Sequence, residues 1–247
     1  MTGRKQVVPK SGRTEIRDLL QANVGAYRLL DIWRDWVECC ALALSNSCDL
    51  AQRESRESRY LEIAKRYTPE QMGRFADALG YLVDVFETER YADVLGQTYG
   101  LLELTNAERG QYFTPYSLCR LMAQVTLDGA EGLIERNGYI TVNEPTCGAG
   151  AMVIAAAEVL HGRGINYQQA MHATAQDIDA TAVHMAYVQC SLLHIPAVVI
   201  WGDTLAVESR AVWHTPAHIL GGWGWRLRHR ADDMAVAPAP GGGAAYN

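Results

Sequence analysis

Three carboxylates in this sequence stand where a single sheet could bring them together. Glu144 opens the turn Glu144-Pro145-Thr146-Cys147-Gly148-Ala149-Gly150, Asp177 sits in Gln176-Asp177-Ile178-Asp179, and Asp203 in Gly202-Asp203-Thr204-Leu205. Gly148 and Gly150 let the backbone come close to a ligand, and the free amides of a helix starting there favour anionic or polar groups. A carboxylate at the end of the neighbouring strand can accept hydrogen bonds from both ribose hydroxyls of a nucleoside cofactor. Asp177 lies farther from Gly150 than the ~20 residues of a dinucleotide fingerprint, and the turn lacks the full GxGxxG pattern, which weakens an NAD reading. One acid at a strand end is commonly a helix cap. Three in register on successive strands point to a site.

The elements that must position these acids alternate after Gly110. Tyr139-Ile140-Thr141-Val142 reads as a strand, Ala151 to Leu160 as a helix ended by Gly162 and Gly164, and Met171 to Ala175 as a second strand. A helix over 179–194 follows, then a third strand, Ala197-Val198-Val199-Ile200-Trp201, apolar throughout as a strand buried on both faces should be. This order implies a parallel sheet with right-handed crossovers in a three-layer α/β domain over residues 107–230. Ahead of it, residues 1–106 read as a helical domain. Thr68-Pro69-Glu70-Gln71 is a capping box, and Met72, Phe75, Leu79, Leu82, Val83 and Phe86 fall on one face after it. Leu29, Leu30, Trp33, Trp36, Val37 and Cys40 make a similar stripe, whereas Arg53 to Arg59 reads as an exposed charged run. Residues 231–247 read as a disordered tail.

Hydrophobic residues at 49% and charged residues at 20% exclude a disordered chain and supply a sizeable core. No apolar run reaches the ~20 residues of a membrane span and no signal segment opens the chain, so a cytoplasmic location is expected. The six cysteines form no CxxC pair, which favours free thiols and suggests no metal site. A net charge of −6 argues against nonspecific coating of nucleic acid. Two basic patches stand out locally: Arg4, Lys5, Lys10 and Arg13, and Arg226, Arg228, His229 and Arg230 after Trp223 and Trp225. Each reads equally as a solvated arm or helix end.

Together with Gly110-Gln111-Tyr112-Phe113-Thr114-Pro115, the three acid-bearing segments resemble the successive motifs of N6-adenine DNA methyltransferases, most nearly the modification subunits of type I restriction-modification systems. The resemblance covers roughly Thr105 to Leu205. It implies a Rossmann-like S-adenosylmethionine (SAM)-dependent methyltransferase sheet with SAM as cofactor. Gln111, Tyr112, Phe113 and Thr114 would close over its methionine end, and Glu144, Cys147, Gly148 and Gly150 would hold the methionine moiety, Glu144 pairing with the ammonium. Asp177 would take the ribose hydroxyls, Ile178 the adenine face and Asp203 the adenine amine.

The family's catalytic Asn or Asp followed by Pro-Pro and an aromatic residue is missing. The nearest stretch, Trp213-His214-Thr215-Pro216, lacks the amide or acid, so no catalytic residue is assigned. The stretch after Leu205 is also too short for the remaining strands of a full methyltransferase sheet, which therefore reads as incomplete. Two functions stay open: a SAM-binding DNA adenine methyltransferase that needs a partner subunit to act on DNA, or a non-catalytic SAM-binding or restriction-modification interaction protein. A third, weaker reading is a nucleic-acid module that uses the tryptophans and arginines near the C-terminus.

Overall fold

The computed structural model describes residues 11–102 and 114–236, with side chains through residue 229. Its first part is helical: α1 (Gly12–Gln21), α2 (Leu29–Asn46), α3 (Arg53–Ala64), α4 (Pro69–Thr88) and α5 (Val94–Leu101). Local chemistry starts α4 as the sequence predicts. The Gln71 N–H donates to the Thr68 hydroxyl, the Thr68 N–H donates back to Gln71 Oε1 at 2.9 Å, and Pro69 takes the first turn. Trp33, Trp36, Val37 and Cys40 of α2 are buried with Phe75, Leu82 and Phe86 of α4, while Val83 lies at the exposed border of its stripe. Trp36 Nε1 donates to the Phe75 carbonyl at 3.0 Å, joining the two helices.

The charged run over 53–59 is not all exposed, because Arg56 is buried. Its guanidinium pairs with Asp49 at 2.8 Å, donates to the Ser45 hydroxyl and to the Val212 carbonyl, and lies 4.1 Å from the centre of the Trp213 ring. Those last two partners come from the far end of the chain, so no periodicity within α3 reveals the role. Arg13 is likewise committed to Glu89 at 2.9 Å, while Arg4, Lys5 and Lys10 lie outside the described residues.

The second part runs α6 (Tyr116–Thr126), α7 (Ala130–Asn137), β1 (Ile140–Glu144), α8 (Ala151–Gly162), α9 (Tyr167–Ala170), β2 (Met171–Asp177), α10 (Ala180–Leu192) and β3 (Ala197–Trp201). It closes with β4 (Ala211–His214), α11 (Pro216–Leu220) and α12 (Trp223–Val236). The sheet order is β1-β2-β3-β4; β1, β2 and β3 are parallel, and β4 returns antiparallel along β3 with Val199 opposite Trp213. The three parallel strands match the sequence expectation, whereas β4 is an addition to it. Helix α12 also continues through 231–236, inside the stretch read as a tail; residues 237–247 lie outside the described residues.

Because β1, β2 and β3 are adjacent in chain order, right-handed crossovers place α8 and α10 on one face of the sheet. That face is buried through Ala173, Ala175, Ala197, Val199 and Trp213, and α2 and α5 pack behind α10. The other face is less covered: Thr141 and Asn143 are exposed, and Thr174, Gln176, Val198 and Ile200 are half-buried. Its third layer is reduced to α11 and α12 across the start of the strands. There Trp223 is fully buried against Tyr139 and His172, and Arg226 stacks 3.8 Å from the centre of the Trp223 ring. Trp223 and Arg226 of the tryptophan-arginine cluster thus serve packing, whereas Trp225, its ring against His229, is exposed together with Arg228 and His229. No helix among the described residues is long and apolar enough to cross a membrane.

Two measurements test this packing. Arg56→Ala strands Asp49 and the Val212 carbonyl, and is expected to cost about 3–5 kcal/mol in denaturant unfolding. On the other face of the sheet, His172 Nε2 and His218 Nδ1 share a hydrogen bond at 2.8 Å, and burial depresses the pKa of His172 to about 3 and of His218 to about 4. The unfolded chain protonates first, so the stability these neutral rings permit is present above pH ~6.5 and declines below it, by up to about 1.4 kcal/mol per pH unit for each ring. Urea titrations at pH 7 and pH 5 should show that loss, and His172→Gln should lessen it.

Candidate functional site

The carboxyl ends of β1, β2 and β3 converge as the sequence predicts, and the turns that follow them are tied to one another. The Cys147 N–H donates to the Gln176 carbonyl at 2.8 Å, the Gly202 N–H to the Asp177 carbonyl at 2.9 Å, and the Thr204 hydroxyl to the Pro145 carbonyl at 2.7 Å. Asp177 is held on both oxygens: Gly148 N–H donates to Oδ2 and Asp179 N–H to Oδ1, each at 2.9 Å. Asp203 accepts the Leu205 and Ala206 amides on Oδ1 at 2.9 and 3.1 Å, and among the described residues Oδ2 has no hydrogen-bond donor. The acids are thus oriented by their own loops before any ligand arrives.

Two glycines are required by the backbone itself. Gly150 holds φ +93° at the start of α8, and a Cβ there would press to 3.3 Å on Ala186 of α10. At Gly202 a side chain would collide with the Glu208 carbonyl, because the 203–209 loop folds back over it.

Beneath the first turn lies a buried polar knot that the sequence does not announce. Gln189 of α10 is fully buried; its Oε1 accepts the Leu95 N–H at 3.0 Å, and its Nε2 donates to Asp93 Oδ1 at 2.9 Å and to the Ala149 carbonyl at 2.7 Å. Asp93 in turn caps α5 through the Gly96 N–H, and burial raises its pKa.

A cavity of about 710 Å³ opens at this edge. Of the predicted residues, Gly148, Asp177, Ile178 and Asp203 line it, and Ile178 presents an apolar side chain 59% exposed. Cys147 and Gly150 sit behind the turn; burial pushes the Cys147 thiol well above its usual range, which removes it as a nucleophile near neutral pH. Glu144 is half-buried beside the turn, its carboxylate accepting the Thr146 N–H at 3.4 Å, and does not line the cavity. Thr114 is exposed ahead of α6, and Gln111, Tyr112 and Phe113 lie outside the described residues.

Arg34, Tyr99, Met185 and Trp201 also line the cavity without having been singled out in the sequence. Trp201 could have been found as the last residue of its strand. Its Nε1 donates to the Ile178 carbonyl at 3.0 Å, steadying the backbone that presents Ile178. Arg34 and Tyr99 come from α2 and α5, and no local pattern ties either residue to turns so distant in the chain. The wall as a whole suits a nucleoside: three carboxylates, Asp177, Asp179 and Asp203, for hydroxyl and amine donors, and an exposed isoleucine beside an indole for a flat ring.

The stretch Trp213-His214-Thr215-Pro216 lies elsewhere. It is the end of β4 and the cap of α11, where Thr215 accepts the Ala197 and His218 amides beside the first residue of β3, at the opposite end of the sheet from the cavity.

A family model described as N-6 DNA Methylase matches residues 90–220. Among solved structures, a Listeria monocytogenes protein classed as a class I S-adenosylmethionine-dependent methyltransferase is similar at 15% identity and TM-score 0.43. The match covers 80% of this chain and 55% of that one. A type I restriction-modification system methyltransferase subunit from Streptococcus thermophilus is similar at 14% identity and TM-score 0.40, over 80% of this chain and 58% of that one. This chain therefore spans somewhat more than half the length of either. No curated protein matches it.

Gln189→Leu keeps the volume beneath the first turn but takes a donor from Asp93 and strands the Leu95 amide and the Ala149 carbonyl. We expect a loss of about 3 kcal/mol in urea unfolding, and a loss under 1 kcal/mol would show that the knot is dispensable.

Proposed function

Because the chain belongs to the N-6 DNA methylase family, we propose that it binds SAM in the cavity beside β1, β2 and β3. In this reading it is the cofactor-holding part of an adenine-N6 DNA methyltransferase whose transfer site a partner subunit completes. The observation that carries the reading is Asp177, fixed on both oxygens by backbone amides at the mouth of the cavity. Its remaining lone pairs are oriented to accept two ribose hydroxyls. Ile178 packs on the adenine, and Asp203 accepts the adenine amine on its open Oδ2. Gly148 lines the wall that would hold the methionine moiety, Cys147 and Gly150 would shape that turn from behind, Glu144 beside it would pair with the ammonium, and Gln111, Tyr112, Phe113 and Thr114 are proposed to complete the methionine end.

When bound, SAM supplies an electrophilic methyl group to an amine nitrogen. The chain's own part is orientation: rigid loops place the cofactor, and no metal is called for. A flipped adenine also needs an acceptor for its amine hydrogens and a stacking ring. The nearest stretch after β3, Trp213 to Pro216, stands at the far end of the sheet from the cavity, which favours a partner as the source of both. The same placement favours the second reading, a non-catalytic SAM-binding or restriction-modification interaction protein.

Calorimetric titration of the purified chain with SAM tests the first half. Binding is expected, with Asp177→Ala weakening it at least ~30-fold, the equivalent of about 2 kcal/mol; equal affinity in the variant would remove Asp177 from the site. Tritium transfer from labelled SAM to adenine-containing DNA tests the second half. The chain alone is expected to transfer nothing, and transfer appearing on addition of a type I partner subunit separates the enzyme reading from the non-catalytic one.

A further inference from the structure

The cavity beside the strand ends is lined by three carboxylates, Asp177, Asp179 and Asp203, and, among the described residues, by one cation, Arg34 of α2. Most arginines of the helical part are committed to acids. Arg13, Arg17, Arg56, Arg59, Arg66 and Arg74 each pair with a carboxylate at 2.6 to 2.9 Å. Arg34 is half-buried and makes no ion pair among the described residues. Asp31, one turn before it on α2, feels its charge but is ion-paired with Arg28 at 3.0 Å. Holding a guanidinium partly out of water without a paired acid is unfavourable, and a bound anion offsets that cost.

Helix packing sets where this cation stands. Trp33, the residue before it, is fully buried with its ring edge-on to Tyr99 of α5 at 5.5 Å, and α2 packs along α10. Tyr99 lies one turn beyond Leu95, whose N–H donates to Gln189, and Gln189 also holds the Ala149 carbonyl of the glycine turn. Ala182 and Met185 of α10 line the same cavity, and Ala186, next along that helix, is the residue that Gly150 approaches. Arg34 thus belongs to the wall that α2, α5 and α10 build beside the glycine turn, which in the SAM reading meets the methionine end of the cofactor.

We infer that Arg34 anchors the carboxylate of that methionine end. The inference rests on the SAM reading and adds to it a residue from outside the turns that follow the strands. Charge selects the assignment. SAM carries a sulfonium and an ammonium as its positive groups and the carboxylate as its anion, and the acids of the wall serve only positive or hydrogen-donating groups. Arg34 is the described lining side chain of opposite sign, and a guanidinium meets a carboxylate through parallel N–H donors. The helical part of the chain then sets ligand specificity: a ligand without the carboxylate leaves Arg34 unpaired.

Calorimetric titration of the full chain with SAM and with decarboxylated SAM separates this inference from the reading beneath it. The decarboxylated ligand is the more positive of the two, so an acid-lined wall without an anion anchor favours it. With the anchor, wild type is expected to bind SAM at least ~10-fold more tightly than decarboxylated SAM. Arg34→Gln is expected to weaken SAM at least ~10-fold and to leave the decarboxylated ligand within about 2-fold, with an unchanged circular dichroism spectrum. Should that variant misfold, Arg34→Lys serves in its place; it keeps the charge but not the fork, and its preference for SAM is expected to fall between the two. Wild type that binds neither ligand would remove the SAM reading and this inference with it. SAM bound no more tightly than its decarboxylated form, or a folded variant that loses both ligands equally or neither, would overturn the role of Arg34 and leave the SAM reading standing.

Discussion

A single amide side chain joins the helical part of this molecule to its ligand-facing edge. Gln189 spends both ends of its amide inside the protein, on the start of α5 and on the glycine turn after β1. Buried this completely, it has no water to fall back on, so the three segments must meet in one arrangement or leave polar groups stranded. The position of the turn is thereby set from below, by the core. The close approach of Gly150 to Ala186 works in the same sense, since it lets α8 and α10 come near enough for Gln189 to reach the Ala149 carbonyl.

From that fixed turn the rest of the edge follows by backbone contacts between loops. Cys147, Gly202 and Thr204 each bond to a neighbouring loop, and Asp177 accepts amides from two of them. An acid held this way loses little conformational freedom when it meets a ligand, which is the benefit of preorganisation. The same bonds give each carboxylate a structural role in the loops that it joins.

Much of this was legible in the sequence. The capping box at Thr68, the three parallel strands and the convergence of Asp177 and Asp203 on one edge all follow from local patterns: a cap at fixed spacing, apolar runs, and acids placed just after them. What the sequence did not disclose depends on contacts between distant segments. Arg56 sits in a run of charges that looks solvated until Val212 and Trp213 return to it. Arg34 and Tyr99 complete a cavity wall from helices far away in the chain. Strand β4 is four residues long and pairs antiparallel, so neither its length nor the expected topology announced it. The apolar run over 197–201 suggested burial on both faces, yet Val198 and Ile200 are only half-covered because both crossover helices lie on the other side.

The tryptophans are distributed in a way that has a spectroscopic consequence. Trp33, Trp36 and Trp223 are fully buried, Trp213 lies under Arg56, and Trp225 stands in solvent. Of the six, Trp201 lines the cavity, with its indole N–H already engaged and the Arg210 guanidinium 5.6 Å from the centre of its ring. Filling the cavity therefore changes the direct surroundings of one emitter against a background of five that do not line it. The protein carries a built-in optical gauge of occupancy, and its signal is assigned by replacing that one indole.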